Sequence, residues 1–324
     1  MIWARGTEDR VELADVAMGH PILDVVVSIL LCLYYTLEGI VISLIPSKFK
    51  SKSIEGDVAL VTGGGSGIGR MICVELVKLG ATVVTWDVNK AGNDETLKLI
   101  KNAGGKAFGY VVDLTDKEAI YKAAIQIKNE VGRVTILVNN AGIVTGKPLL
   151  DSPDKLIQRT FDVNVLAHFW TVKAFLPDML INDKGHIVTV ASLAGLSGCN
   201  KLVDYCASKF AAVGFDESLR IELKVAGKNN IKTTVVCPYY VKTPLFEGAS
   251  SKILPILEPE QVAAETINGI LTNKEMVIIP GSCAVLAALK TMLNWKAVYA
   301  VLHVTGITAS MDEFRGRKVP LKGD

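Results

Sequence analysis

A charge excess of either sign is missing from this 324-residue chain: 35 Lys and Arg stand against 33 Asp and Glu, a formal balance of +2. So small a balance makes no field for gathering nucleic acid, and that partner class is set aside. Cysteine is scarce and scattered. Cys32, Cys73, Cys199, Cys206, Cys237 and Cys283 form no C-x-x-C pair, so neither a zinc site nor a disulfide framework is expected and no metal is assigned. They read as reduced thiols in packed positions. No internal repeat or low-complexity tract is present either.

What the chain has in excess is apolar surface. Half of its residues are hydrophobic, and the mean hydropathy of +0.35 exceeds what a soluble core needs. Much of that excess lies in residues 22–45, ILDVVVSILLCLYYTLEGIVISLI, with fifteen Ile, Leu and Val. As a helix this run spans about 36 Å, enough for a hydrocarbon core of about 30 Å. Asp24 lies at its edge and Glu38 off-centre, so the aliphatic residues outweigh both. An acidic leader precedes it and no small-residue cleavage site follows, so it reads as a retained membrane anchor, not a signal peptide. Lys48, Lys50 and Lys52 after the run, against Arg5 and Arg10 before it, favour a cytosolic body. A helix lying in one leaflet is the alternative, given Glu38-Gly39 inside the run.

From 54 to 280 the pattern changes to short β-branched runs alternating with helical ones. The spacing predicts strands at 58–62, 82–86, 107–112, 135–139, 186–191, 233–237 and 276–279, with helices at 67–79, 90–102, 116–131 and 205–225. Several strands are apolar throughout, as in a parallel sheet covered on both faces. Regular β–α alternation then argues an α/β doubly wound parallel sheet, a Rossmann fold. The whole chain divides into a polar leader (1–20), the anchor (21–45), a basic linker (46–53), the α/β sheet domain (54–280), an apolar segment (281–310) and a polar tail (311–324). Lys290, Asn294, Lys296 and His303 make 281–307 an amphipathic helix on the membrane or a lid over an apolar pocket. The tail is expected to be loose.

The first strand runs into Gly63-Gly64-Gly65-Ser66-Gly67-Ile68-Gly69, which opens a helix. Glycine suits a sharp turn that a pyrophosphate must approach closely, and the helix N-terminus offers that anion free N–H groups. Gly63, Gly65, Ser66, Gly67, Ile68 and Gly69 are therefore cofactor-binding candidates. Asp87 ends the second strand about 20 residues on, where a carboxylate accepts both ribose hydroxyls and repels a 2′-phosphate, so NAD is the expected cofactor. Lys90 is the nearest base, which leaves NADP as the alternative. Asp113 closes the third strand where it can meet an adenine amino group. Asn140, in Asn139-Asn140-Ala141-Gly142, follows the fourth strand at the ligand crevice.

With Asn164, Ser192 and Tyr205-Cys206-Ala207-Ser208-Lys209 in order behind these motifs, the chain over 54–280 resembles the short-chain dehydrogenase/reductase family. Tyr205 and Lys209 are four apart, so on a helix they share one face. The resemblance implies that Tyr205 is the proton-transfer base, Lys209 and a positive nicotinamide favour its phenolate, and Ser192 binds the substrate oxygen. Asn164 would hold a water linking Lys209 to solvent. Asp162 and Asp204 read as exposed helix residues without a catalytic role. Where the family carries Pro-Gly, this chain has Pro238-Tyr239-Tyr240-Val241-Lys242-Thr243; Thr243 remains a cofactor contact, and Tyr239 stiffens the turn.

Aromatics at that turn resemble a membrane-bound subgroup that acts on retinol and 17β-hydroxysteroids. The resemblance implies a lipophilic alcohol as substrate, retinol first and steroids or long-chain alcohols next. It also implies residence at the endoplasmic reticulum membrane or the lipid-droplet surface, and a homodimer paired through helices around 160–175 and 205–225. An NADP-dependent reductase of lipophilic ketones and a catalytically silent lipid-droplet protein are the competing readings.

Overall fold

The computed structural model describes residues 21–316; the expected polar leader and the end of the tail, 317–324, lie outside the described residues. Seven strands form one parallel sheet: β1 (Val58–Thr62), β2 (Thr82–Asp87), β3 (Ala107–Val111), β4 (Ile136–Asn139), β5 (Gly185–Val190), β6 (Ile231–Pro238) and β7 (Met276–Ile279). Their order, β3-β2-β1-β4-β5-β6-β7, reverses direction between β1 and β4. Ligands of such sheets bind outside the carboxyl ends of the strands at that switch point.

Strand side chains alternate between two cores. Ala59 and Val61 pack beneath α2 (Gly67–Lys78), α3 (Lys90–Asn102) and α8 (Pro259–Thr272), whereas Leu60 faces α4 (Lys117–Glu130), α6 (Ala167–Ile181) and α7 (Val203–Val225). Both faces being covered explains why the strands read as continuous apolar runs.

At the N-terminal side, α1 (Pro21–Leu44) is a 24-residue apolar helix, and Pro21–Ile42 is long and apolar enough to cross a membrane. The basic linker is more engaged than its composition suggests. Lys50 Nζ donates to Ile42 O at 2.9 Å, across the last turn of α1. The Lys52 backbone N–H donates to Leu271 O at 2.9 Å, and its ammonium lies 2.8 Å from His186 Nδ1. Because an ammonium can only donate, His186 Nδ1 accepts, its proton resides on Nε2, and Nε2 donates to Thr234 Oγ1 at 2.8 Å. Two of the three lysines counted toward membrane orientation thus have partners within the chain.

The apolar segment 281–310 differs from one continuous helix. It forms α9 (Cys283–Lys290) and α10 (Trp295–Val304). The break falls at Asn294, whose side chain accepts the Ala297 N–H at 3.0 Å and so restarts the helix. Nor is the described part of the tail loose. Met311 is buried, Asp312 pairs with Lys201 at 2.7 Å, and Arg315 and Gly316 donate to Glu247 O at 2.9 and 3.1 Å. Phe314 fills the space that a side chain on Gly146 would occupy.

Candidate active site

The Gly loop leaves β1 with Gly63 and Gly67 in the left-handed region, φ +67° and +54°, where a Cβ would be strained. Ser66 makes no side-chain cap at the start of α2, so the first N–H groups of the helix face outward, as an anion requires. Thr62, absent from the expected site list, ties the crevice together: its Oγ1 accepts from the backbone N–H groups of Asn140 and Ala141 at 3.0 and 3.1 Å. Asn140 reciprocates by donating its amide to Thr62 O at 2.9 Å. Asp87 is oriented by two backbone donors, Gly65 N–H at 3.0 Å and Asn89 N–H at 2.9 Å. Asp113 takes the Thr115 N–H and hydroxyl at 3.0 and 2.7 Å.

Gly63, Ser66, Gly67, Ile68, Gly69, Asp87, Asp113, Asn140, Tyr205, Lys209 and Thr243 all line one groove of about 270 Å³ at the switch point. Two expected residues do not reach its surface. Gly65 sits behind Asp87, so close that a Cβ would lie 2.8 Å from a carboxylate oxygen. Asn164 is fully buried behind the lysine. The open helix start, the diol-matching carboxylate and the side-chain-free loop together fit a dinucleotide.

Asn164 owes its position to a π-turn, Asp162–Leu166, inserted between α5 (Asp154–Phe161) and α6. Such a turn adds a residue and re-aims the side chains around it. Asn164 accepts the Ile143 N–H at 2.9 Å and donates to Ile143 O and to Ser208 Oγ, both at 3.0 Å. Its donor capacity is spent on the protein. A Cβ on Gly142 would lie 3.4 Å from Asn164 Oδ1 and 3.6 Å from Lys209 Nζ, so no side chain stands between the two groups. Asp204, read above as exposed, is buried and accepts from Thr160 at 3.3 Å; burial of the α5–α7 contact was invisible in a local pattern.

Tyr205 and Lys209 lie on the first turns of α7, with Lys209 Nζ 5.6 Å from the phenol ring centre and donating to Val190 O at 2.9 Å. Ser192, just past β5, caps a short turn by accepting the Ala194 N–H at 3.1 Å. On the far side of Tyr205 opens a second cavity of about 350 Å³, walled by apolar side chains such as Leu196, Leu254, Leu286 and Leu302. Ser192, Tyr205, Pro238, Tyr239 and Phe246 line both spaces. The Phe246 ring stands edge-on to Tyr205, centroids 5.6 Å apart.

A family model described as short chain dehydrogenase matches residues 57–253. The chain belongs to the short-chain dehydrogenase family. Among its relatives, epidermal retinol dehydrogenase 2 of Homo sapiens is 45% identical over 89% of this chain and 94% of that protein. Estradiol 17-beta-dehydrogenase 11 of Mus musculus is 43% identical over 87% and 94%. A Burkholderia phymatum short-chain dehydrogenase/reductase in complex with NAD superposes at TM-score 0.68, with 25% identity over 83% of this chain and 99% of that one. A metagenomic short-chain oxidoreductase in complex with NADP gives 0.61, with 29% identity over 70% and 98%.

In this short-chain dehydrogenase the electrostatics of the pair run against the simplest expectation. Burial pushes the Tyr205 phenol well above its ordinary range, and the Ser192 hydroxyl pulls only partly the other way. Burial likewise lowers the Lys209 ammonium to about 8. Desolvation thus outweighs the Ser192 hydrogen bond that favours the phenolate. His168, buried one turn beyond Asn164, is pushed down to about 3 by the same cause and is neutral.

Proposed function

We propose that this chain is a membrane-anchored, NAD-dependent dehydrogenase of lipophilic alcohols, with retinol as first substrate and steroids or long-chain alcohols next. One observation carries the reading: the polar groove and the apolar cavity meet at Ser192 and Tyr205. When bound, the nicotinamide supplies the acceptor for the hydride that the alcohol carbon gives up. The chain does the rest. Ser192 donates its hydroxyl to the substrate oxygen, Tyr205 takes the hydroxyl proton as base, and Lys209 supports the phenolate. Asn164 positions the Ile143 loop beside Lys209. The Gly loop and Thr243 hold phosphates and carboxamide, Asp87 the adenosine ribose, and Asp113 the adenine.

The retinol and steroid dehydrogenases among the relatives support the substrate class. The apolar helix α1 supports a membrane anchor; residence at the endoplasmic reticulum or a lipid droplet follows from the resemblance, and a cytosolic body from the lysines after α1. Exposed Phe169 on α6 and Ile221 and Val225 on α7 supply an apolar face for a homodimer.

The deciding measurement is NADH formation by membranes carrying the full chain, offered retinol, a 17β-hydroxysteroid and a long-chain alcohol separately. Tyr205→Phe should lower turnover by at least about a hundredfold, the usual worth of a positioned base, while NAD binding persists. Turnover indifferent to that change would remove Tyr205 from the chemistry.

A second reading, an NADP-dependent ketone reductase, draws on the raised Tyr205 phenol, which is held protonated and ready to donate. Asp87→Ala separates the two. Under the NAD reading it shifts the NAD/NADP ratio of kcat/KM toward NADP by about tenfold or more, equivalent to about 1.4 kcal/mol. Under the reductase reading the ratio barely moves.

A further inference from the structure

We propose that the outer face of α9 and α10 docks on an anionic phospholipid surface, so that the apolar cavity opens into lipid; the delivery half of this rests on the alcohol dehydrogenase reading above. The helix pair has two distinct sides. Inward, Val298 and Cys283 are buried, Leu302 walls the cavity, and Lys290 donates to Leu196 O at 2.7 Å, which ties the pair to the body. Outward, Met292, Trp295, Tyr299 and Val304 are 82%, 70%, 53% and 74% exposed, and among the described residues their one ring contact is Tyr299 stacked on His303 of the same helix. Leu286, Leu289 and Leu293 belong to both sides: they line the cavity and remain substantially exposed, so they mark its mouth.

Exposed apolar patches of this kind mark interaction sites, and three features of the chain select lipid as the occupant. No Asp or Glu occurs from 276 to 311, whereas Lys296 and His303 are exposed on the same helix as Trp295, Tyr299 and Val304. A basic apolar face matches a negative headgroup layer, which attracts each lysine by about 1 kcal/mol. Trp295 and Tyr299 are the side chains that prefer the headgroup boundary. Finally, only seven residues lie between the end of α1 and docked Lys52, eight steps that span at most about 29 Å, so a membrane holding α1 keeps the body at its surface.

The test reconstitutes the full chain in phosphatidylcholine–phosphatidylserine vesicles containing brominated lipid and compares it with Trp295→Phe. The emission that depends on Trp295 should be quenched, and Met292→Glu with Val304→Glu should abolish that quenching. The same double variant should raise KM for a long-chain alcohol dissolved in the vesicle by about tenfold, the effect of losing about 1.4 kcal/mol of docking. Its kcat/KM for a short, water-soluble alcohol should be unchanged, since neither residue lines the cavity. Absence of Trp295 quenching would overturn docking, as would its shielding by a second copy of the chain in a concentration-dependent manner. Quenching with no change in KM would overturn delivery from lipid. If no alcohol is oxidised at all, the functional reading fails, and the fluorescence arm still decides docking on its own.

Discussion

Tyr205 and Lys209 share one desolvated corner, and burial there disfavours both charged forms. For Lys209 the consequence is a stability penalty with a definite pH window. Its ammonium is lowered to about 8 from an unfolded value near 10.5, so below pH 8 the folded state carries the cost of a buried charge. Between about 8 and 10.5 the native lysine is neutral while the unfolded one is still protonated, and stability rises with pH. Lys209→Met removes that dependence. At pH 7 the variant should be more stable than the parent by up to about 3 kcal/mol, with the advantage closing as pH approaches 10.5. Denaturant titrations at pH 7 and 10 check this, and a constant difference across that range would remove the desolvation account. Turnover should be lost in the same variant, the usual conflict between stability and a strained site. The Tyr205–Lys209 pair was legible from its place behind the glycine motifs and Ser192; the direction of its electrostatics was not, because burial is a property of the assembled fold.

At the scale of elements, β1 and β7 fall where the periodicity places them, and the other five strands differ by one or two residues at either end, because buried parallel strands leave an unmistakable apolar signature. The π-turn under Asn164 left no such trace. It adds one residue to what reads as continuous helix, and only the Ile143 and Ser208 contacts reveal why the side chain points as it does. The tail was misread for a related reason: Met311 and Phe314 are isolated apolar residues in a polar stretch, and their burial depends on partners far away in sequence. Phe314 packs on Phe246, centroids 6.3 Å apart, and Phe246 in turn stands against Tyr205. Gly146 makes that packing possible, being both at φ +69° and directly under the Phe314 ring. Gly146→Val is therefore expected to expel the ring and loosen residues 310–316. Limited proteolysis should cut there several-fold faster, and the KM for lipophilic alcohols should rise more than kcat falls, because the cavity wall is disturbed and the proton-transfer groups are not. An unchanged cleavage pattern would mean that the strap holds without Phe314.

For the whole molecule, the question is how an apolar anchor hands orientation to a folded body, and the structural answer lies in Lys52. Composition marked residues 46–53 as a basic linker, yet Lys52 is folded into the amino-terminal edge of the sheet through His186 and Thr234, on the opposite edge from the cofactor groove. Thr234 passes the chain on by donating to Lys274 O at 2.6 Å. His186 and Thr234 each accept one hydrogen bond and donate the next, so removing the imidazole leaves the Lys52 ammonium without its acceptor and the Thr234 hydroxyl without its donor. Burial has already lowered Lys52 to about 8, which means that the ammonium has little surrounding water to replace what it loses. His186→Ala should cost the local clasp about 1–3 kcal/mol, the penalty for polar groups left unpaired. Released, the linker becomes a substrate for trypsin at Lys50 and Lys52. In membranes carrying the full chain, cleavage there should accelerate by about tenfold or more, in proportion to the opened population, while turnover of a soluble alcohol at the far edge of the sheet is retained. Cleavage at the parental rate would show that the backbone bond from Lys52 to Leu271 holds the tether unaided, and the side-chain clasp would then have no part in fixing the body against the membrane.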